Sequence, residues 1–367
     1  MTPSPDRPLV QVGSPAAVLA VVPHLLGFVP EASLVVIGAG PPRDRVQVAI
    51  RYDLPDPPDT GFAAEIAAHA VGVLARQHLP TAIVAGYGPG PLVTPLVDAI
   101  RAAARGAGLK LREILRVQDG RYWSYLCSDP SCCPADGVPF DAAAHPAAAA
   151  LAATGQPVRA GRGALAAAVA PLTGAPAAAM AAETRRAGRT AARLIARAGR
   201  RALTEHGLAA VGAAIEVYRS GGSITRFDQH AWLAFALVSL RIRDDAWARM
   251  DPQHRDAHRR LWTDLVRRAQ PRYVAAPACL LAFTAWQCGD GALANIALDR
   301  ALADTPGYSM ALLIRDAIAG GAPPAMATLP MTPEEVAASY GDPAGDQPAE
   351  SGGTGPVGPG PDTASES

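Results

Sequence analysis

The hydrophobic rhythm of this chain changes once and does not change back. Between Ser33 and Cys127, short β-branched runs alternate with stretches of helical period, whereas beyond about Glu183 strand signals vanish and apolar residues recur only at helical spacing. A period of two cannot bury one face of a helix, and a period of 3.6 cannot bury one face of a strand. The chain is therefore read as an α/β unit, a mixed sheet with flanking helices, followed by an all-α helical domain.

The expected elements follow from local chemistry. Ser14 to Leu26 reads as an amphipathic helix that Ser14 caps and Pro15 opens, with Val18, Val21, Val22 and Leu25 on one face, and Pro23 is expected to kink or end it. Ser33 to Ile37 reads as a buried strand and Val46 to Tyr52 as its hairpin partner. Residues 62–77 and 92–104 read as helices around a strand at 81–85, and 109–117 with 122–127 as a hairpin turning at Asp119-Gly120. Such a strand and helix alternation implies helices on the faces of a mixed sheet.

At 367 residues the chain is long enough for two cores. The expected division is an α/β domain at 1–140, an Ala/Gly/Pro-rich linker or helix pair at 141–180, a helical domain at 181–325 and a disordered tail at 326–367. The tail assignment rests on its Pro, Gly, Ser, Asp and Glu content, which offers no apolar face to bury. In the helical part, Ala282, Ala294, Ala301 and Pro306 fall at the small-residue and proline spacings of one tetratricopeptide-like hairpin.

Charge and targeting signals narrow the function classes. Lys+Arg and Asp+Glu balance at 33 each, so the chain as a whole offers no attraction for nucleic acid or an anionic membrane. The N-terminus has no basic n-region, and the longest uncharged run elsewhere, 273–289, is too short and polar to span a bilayer. The expected location is the cytoplasm, without a membrane partner. Five cysteines, three of them clustered, are not the framework of a disulfide-stapled secreted domain.

Several groups of residues bear on chemistry. Cys127, Cys132 and Cys133 form a C-x4-C-C cluster beside Asp129, and thiolates in such proximity can hold a metal or carry redox chemistry. The plainer reading is a turn, which Asp129-Pro130 supports. His24, Arg51 and Asp53 flank the first two strands, where an α/β sheet places ligands, and with Trp123, Ser124, Cys127 and Asp129 they make up the candidate pocket. Alternatively, Arg51 and Asp53 bracket a strand end and His24 a helix end. Gly86-Tyr-Gly-Pro-Gly90 lies between a strand and a helix but matches no nucleotide-binding pattern, and Pro89 and Pro91 remove two donors. Arg185, Arg189, Arg193, Arg197 and Arg201, with Arg186 and Arg200, line a helix without interleaved aromatics, which favours a solvated face over a base-stacking surface. Trp232, Trp247, Trp262 and Trp286 read as core anchors.

Three segments resemble the signatures of the actinobacterial DUF4192 family. They are Pro23-His-Leu-Leu-Gly-Phe-Val-Pro-Glu-Ala-Ser-Leu-Val-Val36 with Arg51-Tyr-Asp-Leu-Pro55, then Trp123-Ser-Tyr-Leu-Cys-Ser-Asp-Pro-Ser-Cys-Cys-Pro-Ala-Asp-Gly137, and last Trp286 to Leu313. The resemblance covers most of residues 9–325. The family carries no assigned activity, so the resemblance implies no catalytic residue and no cofactor. Two expectations follow: an adaptor or regulator that meets a protein partner through its helical half, or an enzyme of unidentified reaction with its site in the α/β half.

Overall fold

The computed structural model describes residues 13–42, 44–153, 158–327 and 331–340. Its first part is a six-stranded mixed sheet built from β1 (Ser33–Gly40), β2 (Arg45–Asp53), β3 (Thr81–Tyr87), β4 (Lys110–Gln118), β5 (Arg121–Ser124) and β6 (Val138–Pro139), in the order β2-β1-β3-β4-β5-β6. Only β3 and β4 run parallel; the other neighbours are antiparallel. The parallel pair needs a crossover, which α3 (Gly90–Gly106) supplies, and α2 (Thr60–Arg76) packs beside α3.

Alternation along β1 explains its complete burial. Leu34 and Val36 join Ile66, Ala70, Leu74, Val84, Leu96 and Ile100 in a core beneath α2 and α3. Val35 and Ile37 point the other way, into a second core with Val18, Leu19 and Val22 of α1 (Pro15–Leu26). That second core runs without interruption into the helical half, through Trp262, Leu265, Leu281, Ala282 and Leu298. A strand covered on both faces is apolar throughout rather than alternating, as its sequence is.

Two short helices, α4 (Pro146–Ala152) and α5 (Arg162–Ala168), lie in the Ala-rich region, and α6 (Gly174–Arg219) begins within it. Helix α6 is broken at Gly199, whose φ of 79° and ψ of 174° are not helical. Then come α7 (Phe227–Ala236), α8 (Leu240–Ala248), α9 (Arg255–Arg268), α10 (Ala275–Gln287), α11 (Gly291–Asp304) and α12 (Ser309–Ala319). Gly221-Gly222, Asp251-Pro252, Pro271, Gly289 and Pro306-Gly307 all fall between these helices. Helices α10 and α11 pack on one another with Ala282, Ala294 and Ala301 fully buried.

Helix α1 spans the expected residues, from the Ser14 cap to Leu26, with Pro23 inside it, and closes at Gly27 in the left-handed conformation. The proline lies in the last turn, where losing one hydrogen bond matters least. Within the stretch read as tail, Thr332 and Glu335 form a reciprocal capping box that starts α13 (Pro333–Ser339). This short helix buries Val336 against α8 and sends the Tyr340 hydroxyl to Asp244 at 2.5 Å. The remainder of the tail, from residue 341, lies outside the described residues.

Candidate metal centre in the loop after β5

The β4–β5 hairpin sets up the site. Asp119 and Gly120 both have positive φ, 50° and 69°, as a two-residue type I′ turn requires. That turn fixes the register, and Arg116 comes to lie opposite Trp123. The Arg116 guanidinium sits 3.7 Å from the centroid of the Trp123 ring, a close cation–π contact, and donates to Gln118 at 2.7 Å.

Trp123 and Arg121 then fasten the returning chain. Trp123 Nε1 donates to the Ala135 carbonyl at 3.0 Å. Arg121 donates to the carbonyls of Asp136 and Gly137 at 3.2 and 2.7 Å and forms a salt bridge with the Asp136 carboxylate at 3.1 Å. Gly137 has φ +82° and lies flat against the indole, where a Cβ would come within 2.5 Å of the ring. The stretch between Ser124 and Pro134 is thereby closed into a loop with both ends anchored on β5.

Inside the loop, local hydrogen bonds dictate where the thiols point. Ser124 Oγ accepts from the backbone N–H groups of Leu126 and Cys127, both at 3.1 Å. The Asp129 carboxylate accepts from the N–H and the hydroxyl of Ser131, at 2.9 and 2.7 Å, and these bonds hold its carboxyl below the usual carboxylate range. The Asp129 carbonyl accepts from the N–H groups of Cys132 and Cys133, at 3.2 and 2.7 Å. Together these turns bring the sulfurs of Cys127, Cys132 and Cys133 within 4.8 Å of one another.

The three thiols are not equivalent. The backbone N–H of Asp129 and the Cys133 thiol donate to Cys127 Sγ and hold its pKa below that of an ordinary thiol. Donation to Cys127, followed by burial, pushes Cys133 up to about 12. Cys127 therefore ionises more readily than Cys133, and binding a cation across both would release a proton from Cys133. No disulfide joins them: all three are free.

The other residues of the sequence-derived pocket lie elsewhere. Arg51 and Asp53 are on edge strand β2, paired at 2.6 Å, and Arg51 Nε donates to Ser33 Oγ at 2.8 Å. Strands β1, β3 and β4 separate them from β5, four interstrand steps or roughly 19 Å. His24 sits half-buried in the last turn of α1, its pKa lowered by burial and its Nδ1 without a hydrogen-bond partner. Trp123, Ser124, Cys127 and Asp129 come together; Arg51 and Asp53 do not join them. The Gly86–Gly90 turn is occupied by packing: Val93 fills the space beside Gly86, and the Gly88 N–H donates to the Val117 carbonyl. An open hollow of about 520 Å³ beside it is lined by Thr60, Gly90, Thr94 and Asp98, among others.

A family model described as a domain of unknown function, DUF4192, matches residues 15–325. The chain belongs to the DUF4192 family. The match takes in both halves of the fold, so the thiol loop and the helical half are parts of one DUF4192 unit. No curated protein and no solved structure matches the chain. No helix among the described residues is long and apolar enough to cross a membrane. Arg116, Arg121 and Gly137 are contributors to the site that sequence reasoning passed over. The signal for Arg116 was present, since a two-residue turn at Asp119-Gly120 pairs residue 116 with 123; the roles of Arg121 and Gly137 depend on how the loop returns, which no local pattern reports.

Proposed function

We propose that this DUF4192 protein is a cytoplasmic regulatory binding protein whose α/β half captures a thiophilic metal ion through Cys127, Cys132 and Cys133. The observation that carries this reading is the mutual approach of three free sulfurs within 4.8 Å. Zinc–thiolate bonds of about 2.3 Å in a tetrahedron place sulfurs roughly 3.8 Å apart, so the sulfurs need to close by at most about 1 Å. Three sulfurs leave one tetrahedral position for water or an incoming donor group. The tetratricopeptide-like packing of α10 on α11 supports a partner-binding role for the helical half, and a reducing cytoplasm keeps such thiols available.

The test is metal content and thiol titre of the protein purified under reducing conditions without chelator. The expected result is about one bound metal per chain, lost in Cys132→Ser/Cys133→Ser while the circular dichroism spectrum is retained. Metal-free protein that also fails to take up zinc or monovalent copper on titration would overturn the reading.

A further inference from the structure

Helix α6 carries seven arginines and no acidic residue between positions 185 and 201. Its N-terminal part is seated on the body by Met180, Thr184, Ala187 and Ala191, which are buried, with Met180 and Ala187 packed beside Ala231, Phe227 and Phe235. At 100° per residue, steps of four drift by only about 40°, so Arg185, Arg189, Arg193 and Arg197 with Arg186 occupy an arc of roughly 120°. The buried residues fall on the opposite side by the same count, and these five arginines are exposed. Arg186 pairs with Glu183 at 3.4 Å, while Arg185, Arg189, Arg193 and Arg197 have no acidic partner among the described residues. Mutual repulsion of such a row in water leaves a standing field that favours an anionic occupant.

The neutral total charge means the compensating acids are elsewhere. Residues 341–367 contain Asp342, Asp346, Glu350, Asp362 and Glu366 and no Lys, Arg or His. This segment leaves the described structure at Tyr340, which is held on α8 through Asp244 and lies 5.9 Å from the Arg241 guanidinium. Helix α8 in turn packs on α6, with Ile242 against Gly207. Gly207 follows Arg197 by ten residues in the chain, with the Gly199 break between them. The 27 residues from 341 to 367 can reach up to about 90 Å when extended, far more than is needed to run along the arginine face.

We infer that the acidic segment 341–367 docks on the arginine face of α6 and screens it from other polyanions. Helix α13 is the clasp that ties the start of the segment to α8, which itself packs on α6. The occupant is this chain's own tail; nucleic acid is the competitor that the tail excludes.

Nuclear magnetic resonance of the isotopically labelled full chain tests this. Amide signals of residues 342–350 are compared at about 10 mM and about 1 M salt, where the screening length falls from about 30 Å to about 3 Å. Docking predicts that these signals move between the two conditions. It also predicts that Arg189→Gln/Arg193→Gln/Arg197→Gln, all at exposed positions, moves them to the high-salt positions already at low salt. Tail signals that are identical in wild type and variant at low salt overturn the inference, and the same holds if short duplex DNA binds the arginine face of the wild type without disturbing the tail signals.

Discussion

Gly137 sits where two constraints meet: a positive φ and an indole face in van der Waals contact. Gly137→Ala adds a Cβ that both constraints reject, at an expected cost of about 1–3 kcal/mol, borne mostly by the loop. The expected result is weaker metal uptake with a modest fall in melting temperature; unaltered uptake would show that the Trp123 contact does not shape the site. The thiols make a second residue-scale prediction. Because Cys127 is held below the ordinary thiol range and Cys133 is pushed up to about 12, alkylation near neutral pH should modify Cys127 well before Cys133. Peptide mass mapping after a short iodoacetamide pulse reads the order directly, and the reverse order contradicts the hydrogen bonding assigned here. The cysteine cluster itself was plain in the sequence. What the sequence hid was the use of Asp129, whose Oδ1 accepts both the N–H and the hydroxyl of Ser131 and so shapes the turn. Likewise Arg51 and Asp53 stand near strand ends in sequence, yet the strand order that separates β2 from β5 follows from long-range pairing alone.

Among the elements, most boundaries were legible because each strand and helix carries its own period and punctuation. One exception has a local cause: α13 forms where composition reads as tail, because a Thr-Pro-Glu-Glu start suffices to nucleate a turn that α8 then covers. Helix α9 offers an element-scale prediction through His258, which is 2% exposed and lies flat on Trp262. Its Nε2 accepts the Asp251 N–H at 3.3 Å, tying the turn before α9 to the helix, and burial lowers its pKa to about 4. A group whose folded pKa lies below its unfolded value stabilises the fold fully above the unfolded pKa, about 6.5 for histidine, and loses that contribution as pH falls. Between pH 6.5 and about 4 the His258 contribution should therefore decline, by on the order of 3 kcal/mol. Urea midpoints across that window check it: the wild type should lose stability more steeply than His258→Gln. Equal slopes would mean that another group governs the acid limb.

The whole molecule raises a question that composition alone frames differently. The sequence divides at its change of period, yet one apolar cluster runs from Val35, Ile37 and Leu115 of the sheet to Leu281 and Leu298 of the helical half. A polar seam reinforces it on the other side of the sheet. The Tyr52 hydroxyl donates to His69 Nδ1 at 2.7 Å, His69 Nε2 donates to the Ala319 carbonyl at 2.8 Å, and Gln77 donates to the Gly321 carbonyl. Gly321 has φ +76°, and a Cβ there would come within 2.2 Å of Val73 Cγ1. Shared burial of this kind couples the halves, because opening either one exposes apolar surface of the other. The amides of β3 and α10 are therefore expected to exchange with the same free energy under native conditions, as parts of one cooperative unit. Gly321→Val should lower both together, by on the order of 3 kcal/mol, since strain at the seam is paid by the joint structure. If instead β3 exchanges several kcal/mol more readily than α10 and the substitution affects only one of them, the change of period marks two thermodynamic domains and the shared cluster is merely an interface between them.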